Sequence, residues 1–328
     1  MNNLISIIIV NYNGQKWLKK LFDSLLVQTY KNFEIIFVDN GSVDDSVKFI
    51  QDNYKDYRIK IFKNNKNLGF AGGNNFGIEN TSGDYILLLN NDTWLESDFL
   101  QRIYFFYEKN SFDVVAPYEK DYENVKIFEK YSCKLDLLGH PIYLRDKNYR
   151  NNFYLSGVCL FFSKNFYYET QGLDINFFMY VEETDWFWRL LLLKKSFLSI
   201  DNLFVYHFGA GSTGSGIKYQ SFLWRNQNVL QMLLKNYKWS NLLWVLPVYL
   251  IQNIFEILFF IFILKPTIAL SYIQGWWFNI VNFKKIMKKR KWVQENRVAG
   301  DFLIMKKMYI GLAKAVHFYS FIKNNIKL

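Results

Sequence analysis

From Leu4 to about Tyr118 the chain alternates short apolar runs with polar-patterned stretches of helical period, which restricts it to an α/β architecture: a mostly parallel sheet flanked by helices on both faces. The runs are ISIIIV, FEIIFVD, IKIFK and YILLLN, and the stretches between them predict helices from about Gln15 to Gln28, Asp44 to Tyr54 and Ala71 to Glu79. With 328 residues, 51% of them hydrophobic, one large domain of this kind and an appendage can each bury a core.

In open parallel sheets ligands gather beyond the carboxyl ends of the strands, so the residues that follow each run are the candidates for chemistry. Here those ends read Asn11-Tyr12-Asn13-Gly14, Asp39-Asn40-Gly41-Ser42 and Asn90-Asn91-Asp92. Asp39 reads either as a turn or helix-capping residue, or as a fixed carboxylate accepting the N3–H donor of uracil or thymine. The glycine-rich stretch from Asn67 to Gly77 places Gly69, Gly72 and Gly73 where a loop enters a helix, so it serves either as an ordinary turn or as a close approach to a nucleotide. Asn90 and Asp92 alternate on an extended chain and therefore point the same way. Asp92 is suited to a divalent metal and Asn90 to a ribose or water. His207, ending NLFVYHF, is either a further metal ligand or a satisfied structural histidine.

A second acidic motif, FMYVEETDWFWRL, opens an amphipathic helix with Glu182, Glu183 and Asp185. Crowded carboxylates raise one another's pKa, which suits one of them to remove a proton; the same acids also serve simply as first-turn partners of the helix dipole. Asp185 and Arg189 lie four apart, the spacing of a helix-supporting ion pair. The stretch from Glu119 to Asn152 is charged and tyrosine-rich and is read as a variable insertion with short strands. GVCLFFS and FLSIDNLFVYHF return as strands, and the Gly/Ser segment from Gly209 to Gly216 is read as mobile.

Beyond Lys235 the composition changes. Leu242 to Leu264 is apolar except for Pro247, Gln252, Asn253 and Glu256, while Ile268 to Phe283 carries no charge. The first stretch just reaches across a bilayer and the second is short for that. Helices lying in or dipping into the interface are the first reading; a spanning hairpin and a buried helical subdomain are the others. Seven Lys or Arg residues between Lys284 and Arg297 face only Glu295, a cluster suited to anionic headgroups or, more plainly, to a solvated helix face. The formal charge of +11 calls for an anionic partner. Nucleic acid is disfavoured, because the aromatics sit inside apolar runs rather than among the basic residues. Two cysteines, Cys133 and Cys159, exclude a disulfide framework and fit a reducing compartment. The start at Met1 runs into LISIIIV and is expected to be a first strand rather than a signal peptide, which predicts a cytoplasmic location.

Taken in order, VNYNG, VDNGSVDDS, NLGFAGGNN, LLLNND, SGVCLFF, FMYVEETDWFWRL and VYHFGAGS resemble the family-2 inverting glycosyltransferases of GT-A fold, and are most similar to the rhamnosyltransferase-like branch that builds cell-surface polysaccharides. YQSFLWRNQ, then apolar helices and the basic KKRKWVQENR extend the resemblance into the tail. The resemblance implies a catalytic domain over 1–234, with a nucleotide-binding half 1–118 and an acceptor half 119–234, followed by a membrane-associating helical region over 235–328. It places Asn11, Tyr12, Asp39, Gly69, Gly72, Asn90 and Asn91 around the nucleotide, and Asp92 with His207 on Mg²⁺ or Mn²⁺. Glu183 would be the general base with Glu182 as its rival and Asp185 beside them, Tyr180, Trp186 and Gly157 would face the acceptor, and Arg225 the donor diphosphate. Two departures stand out: Asn90 replaces the first acid of the family's DXD motif, and the usual Asp of its acidic pair is a Glu here, which leaves the base open between Glu182 and Glu183.

The activity so implied is transfer, with inversion, of rhamnose or a hexose from a dTDP- or UDP-sugar to a polyprenyl-diphosphate-linked saccharide. It would take place at an anionic membrane surface on the cytoplasmic face, and is compatible with a homo-oligomer. A non-catalytic scaffold that binds sugar nucleotides or glycans is the alternative, suggested by the altered NND motif.

Overall fold

Ile5, Ile7, Ile8 and Ile9 are fully buried because β1 (Ile5–Asn11) runs through the interior of an eight-stranded sheet. It is followed by α1 (Gln15–Leu26), β2 (Phe33–Asp39), α2 (Ser46–Asn53), β3 (Ile59–Lys63), α3 (Gly69–Glu79) and β4 (Tyr85–Leu89). Next come β5 (Thr93–Leu95), α4 (Phe99–Lys109), β6 (Val114–Asp121), β7 (Ser132–Leu135), β8 (Pro141–Leu144), β9 (Cys159–Ser163) and α5 (Lys164–Glu169). The chain continues through α6 (Glu182–Leu192) and β10 (Phe197–His207), then α7 (Tyr219–Asn236), α8 (Trp239–Phe262), α9 (Pro266–Val281), α10 (Phe283–Asn296) and α11 (Asp301–Met305). The structure, a computed structural model, describes residues 3–123, 132–144, 151–209 and 218–316. Most of the segment expected to be mobile, from position 210 to 216, lies outside them.

The strand order is β3-β2-β1-β4-β9-β6-β10-β5. β1, β2, β3 and β4 are parallel, as are β6 and β10, so the alternating pattern of the sequence holds where it was strongest. β9 enters antiparallel between β4 and β6, and β5 antiparallel beside β10, pairings that strand content alone does not dictate. The register sets Asn11 opposite Asp39, and pairs Ile8 with Leu88, so the polar ends of β1, β2 and β4 finish level. Leu18, Leu21, Phe22 and Leu25 form the buried face of α1 over this sheet.

Two compact units divide the chain. The first comprises Met1–Lys130, Leu155–Glu183 and Lys195–Gly216 and contains the whole eight-stranded sheet. The second comprises Tyr131–Tyr154, Thr184–Lys194 and Ile217–Leu328. Helix α7 and the β7–β8 hairpin thus belong with the C-terminal helices, a different partition from the boundary at 234.

Inside the second unit Gly275 lets α9 press on α7: a Cβ there would stand 2.9 Å from the Cβ of Asn226. Arg290 is buried and donates to the carbonyls of Leu234 and Tyr237 at the C-terminal end of α7, while Arg297 pairs with Asp301. Two of the seven cations read as a surface cluster are therefore internal struts. α8 and α9 carry a long row of exposed apolar side chains, which removes the reading of a wholly buried helical subdomain.

Candidate active site

Asn11, buried at the end of β1, donates from Nδ2 to Ser42 Oγ at 3.2 Å and to Asp39 Oδ1 at 3.5 Å, and its Oδ1 accepts from Asn91 Nδ2 at 2.7 Å. The Ser42 backbone N–H donates to Asp39 Oδ2 at 3.2 Å. These bonds lock the three strand ends into one polar floor. Tyr12 stands beside it 39% exposed. Asn91, expected at the nucleotide, is turned inward and braces Asn11.

The glycine-rich segment is held to that floor by Asn40, which sequence reasoning passed over. Its Nδ2 donates to Asn67 Oδ1 and the Gly69 carbonyl, and its Oδ1 accepts from the Leu68 N–H and from Asn64. Gly69 has φ +75°, and a Cβ there would lie 2.0 Å from the Phe178 carbonyl oxygen, so only glycine fits. The next N–H, of Phe70, donates to that same carbonyl at 2.8 Å. The loop thereby fixes the segment that leads into the second acidic motif. At Gly72 a Cβ would meet only Leu68 of the preceding turn.

Tyr180 and Val181 both take left-handed conformations, φ 70° and 72°, immediately before α6 begins at Glu182. Two consecutive non-glycine residues in this region carry backbone strain of the kind found at functional sites. Glu182 is 4% exposed and its Oε2 has no hydrogen-bond partner. Burial, reinforced by the neighbouring Glu183, pushes its carboxyl well above the usual range. Glu183 is half-buried and runs alongside Gly157, whose added Cβ would lie 3.7 Å from its Cβ and Cγ.

Asp185 is fully buried and surrounded by donors of its own unit: Arg189 Nε at 3.0 Å, Lys235 Nζ at 2.9 Å and Asn236 Nδ2 at 3.0 Å. These bonds make Asp185 an anchor within the helical unit. Trp186, expected at the acceptor, is fully buried as well and packs in the interior, leaving Tyr180 and Gly157 as the partly exposed members of that group. Arg225 is exposed on α7 in the second unit.

Asp92 follows β4, and His207 ends β10. Antiparallel pairing of β5 with β10 returns the chain so that His207 faces Thr93, and the Phe208 N–H donates to the Asp92 carbonyl. Asp92 Oδ1 lies 3.2 Å from His207 Nε2, and Glu119 Oε2 lies 2.9 Å from Nδ1. Burial opposes a charged imidazole here, but the bonds to Asp92 and Glu119 outweigh it and push His207 up to about 10. Glu119 escapes sequence reasoning because it lies within β6, in a stretch that reads as the start of the charged insertion, and only the pairing of β6 with β10 brings it to His207.

One backbone segment joins these groups within the first unit. Ser156 hydrogen-bonds Glu119, Gly157 runs alongside Glu183, and the Val158 carbonyl accepts the Asn90 N–H at 3.0 Å. The Glu183 side chain and the Asp92–His207 pair thus each neighbour the Ser156–Val158 segment.

The donor set suits a divalent cation that a substrate helps to hold. Ligands in cis positions on octahedral Mg²⁺ or Mn²⁺ are roughly 3 Å apart, close to the Asp92–His207 separation. Among the described residues no group of three or more His, Cys, Asp or Glu is arranged to hold a metal alone. Phosphate oxygens and water would complete the sphere.

Residues 6–169 match the model of glycosyl transferase family 2. The glycosyltransferase GlyA of Streptococcus pneumoniae is 32% identical over 151 residues, which cover 39% of this chain and 22% of GlyA. WfaP of Escherichia coli, a UDP-Glc:α-D-GlcNAc-diphosphoundecaprenol β-1,3-glucosyltransferase, is 37% identical over 128 residues, 38% of this chain and 51% of WfaP. The matched stretch therefore spans about half or less of these relatives. Among solved structures, the mannosyltransferase PcManGT of Pyrobaculum calidifontis with GDP-Man and Mn²⁺ has a TM-score of 0.54 at 12% identity, covering 84% of this chain and 86% of PcManGT. With its mixed sheet, level strand ends and matched sequence, this chain belongs to the family-2 glycosyltransferases and has their GT-A fold.

Proposed function

We propose that the protein transfers a hexose or rhamnose, with inversion, from a dTDP- or UDP-sugar to a lipid-linked saccharide at a membrane surface, with Glu183 as general base. The observation that carries this is one short segment: Glu183 runs alongside Gly157, the adjoining Val158 is bonded to Asn90, two residues from Asp92, and Ser156 is bonded to Glu119, the partner of His207. Glu182 is the more deeply buried of the two acids, and burial disfavours its charged form, which leaves the half-buried Glu183 as the better placed to meet an acceptor.

In this mechanism Glu183 takes the proton of an acceptor hydroxyl as its oxygen bonds to the anomeric carbon. The bond from that carbon to the diphosphate oxygen breaks on the opposite face, which inverts the configuration. Asp39 accepts the pyrimidine N3–H, held in place by Ser42 and Asn11. Asp92 and His207 would hold Mg²⁺ or Mn²⁺, which when bound supplies positive charge for the departing nucleoside diphosphate. Glu119 orients His207 through Nδ1, leaving Nε2 directed to Asp92. Arg225 is assigned to the diphosphate by the family resemblance alone.

The UDP-glucose donor and diphosphoundecaprenol-linked acceptor named for WfaP support the pyrimidine nucleotide and the lipid-linked acceptor, and the Mn²⁺ bound by PcManGT supports the metal. The apolar helix α8 supports the membrane surface. Purified protein given a panel of sugar nucleotides and a polyprenyl-diphosphate saccharide should form product that disappears on chelation and on Glu183→Gln. Nucleotide binding without turnover under every condition would instead favour the scaffold reading.

A further inference from the structure

α8 has two faces of different character. Leu243, Ile251, Phe255, Leu258 and Phe262 are between 53% and 84% exposed, whereas Leu242, Val245, Tyr249 and Asn253 are at most 2% exposed. The helix is 24 residues long with mean hydropathy 2.0, enough by length and composition to cross a bilayer. Its covered face rules against that orientation.

Polar and charged groups of the same unit back α8 along most of its length. Asn241 donates to Asp301 at 2.6 Å, the Tyr249 ring stacks near His140 at 6.0 Å, and His140 in turn contacts Asp136 at 3.3 Å. Further on, Glu256 accepts from Tyr272 at 2.5 Å and pairs with Lys314 at 2.7 Å. Asn241 and Glu256 are about 22 Å apart along a helix axis. A helix perpendicular to the bilayer would carry this whole polar series, ion pairs included, to hydrocarbon depth, where such groups are costly. A helix parallel to the surface leaves all of it on the water side and immerses only the bare face.

Charge identifies the surface. Residues 235–328 contain fifteen Lys or Arg and three Asp or Glu, a balance of +12, while residues 1–234 sum to −1. Lys284, Lys285, Lys288 and Lys291 are exposed on α10, directly after the apolar outer face of α9, where Trp277 is 64% exposed. At the head of α8, Trp239 is 56% exposed, with Arg290 4.0 Å from its ring and a groove beside it lined by Lys238 and Lys291. Aromatic and cationic side chains in this combination mark the headgroup level of a membrane. A second copy on the same face would bring two strongly basic surfaces together.

We propose that α8 and α9 form an in-plane hairpin whose outer face is immersed in one leaflet of an anionic bilayer, without crossing it, with the Trp239 groove and the α10 lysines at the lipid phosphates. This deepens the membrane-surface reading above and rests on it. The test uses the full chain with Cys133→Ser, the remaining Cys159 being buried, and Leu264→Cys in the turn after α8, where Leu264 is 87% exposed. In a bacterial host, a membrane-impermeant maleimide should label the turn only after cell lysis. Labelling in intact cells would show that the hairpin crosses and would overturn the proposal. Separately, the purified protein should float with vesicles containing phosphatidylglycerol and not with phosphatidylcholine alone, and Phe255→Lys with Leu258→Lys should cut the bound fraction about tenfold or more. Failure to float, with a dimer seen by light scattering, would assign the face to a second copy and would overturn the membrane reading too.

Discussion

Neutralising Glu183 and neutralising Glu182 should have different consequences although the two are adjacent. Glu183→Gln removes the proposed base and should lower kcat about 10²- to 10⁴-fold, while Glu182→Gln replaces a carboxyl whose charge burial already disfavours and should hold turnover within about tenfold. Steady-state kinetics on the two variants checks this. Stability gives a second readout with a definite sign. The folded-state pKa of Glu182 is raised, so folding holds a proton that the unfolded chain releases above the ordinary value of 4.5. Its cost is absent below that pH and grows as pH rises, so Glu182→Gln should raise Tm at pH 7 and give no gain near pH 4. Two adjacent acids were plain in the sequence, but which of them is buried was not, because it depends on a helix entry bent by two left-handed residues that local propensity does not announce. Asp185 and Trp186 lay beyond sequence reading for a related reason: i,i+4 spacing shows the Arg189 pair, but not that Lys235 and Asn236 close around the same carboxylate from fifty residues away.

Elements β1 to β4 and their helices were legible because each is bounded by its own hydrophobic period and its own polar end. α3 was placed within two residues, and the level strand ends follow from parallel pairing with little slip. β9 was recognised as a strand, but its direction was not, since antiparallel insertion between β4 and β6 is decided by long-range pairing. Gly69 illustrates how a sequence signal can carry a different meaning. Its motif reads as a nucleotide approach, whereas its geometry is a left-handed turn against the Phe178 carbonyl. Gly69→Ala should therefore cost about 1–3 kcal/mol in denaturant unfolding and lower activity by displacing the segment before Glu182. On the same sheet, Glu34 accepts from Ser6 Oγ at 2.6 Å and pairs with Lys60 at 2.7 Å. Burial raises its carboxyl, but Lys60, Ser6 and the Ser82 N–H together hold it below 4.5. A lowered folded-state pKa gives stability that is present above the ordinary value and lost as pH falls through the folded one. Tm measured against pH should consequently drop more steeply below pH 4.5 in the wild type than in Lys60→Ala.

Across the whole molecule, composition separates what the chain binds from where it works. The net positive charge resides beyond residue 234, with the exposed apolar helices, and the sheet-bearing residues before it are close to neutral. The overall basic balance was visible at once, but its division between a lysine surface and internal struts such as Arg290 was not, because burial is set by which helix a face meets. Family membership rests on half the chain, residues 6–169, while the proposed base lies outside that stretch. The central claim is therefore that Glu183 and the Asp92–His207 pair act on one anomeric carbon. The most direct measurement is the anomeric configuration of the first-formed product, by NMR, from a donor of known configuration. A single inverted anomer, formed by the wild type and lost in both Glu183→Gln and Asp92→Ala, is the predicted result. Retained configuration, or undiminished transfer by either variant, would contradict it.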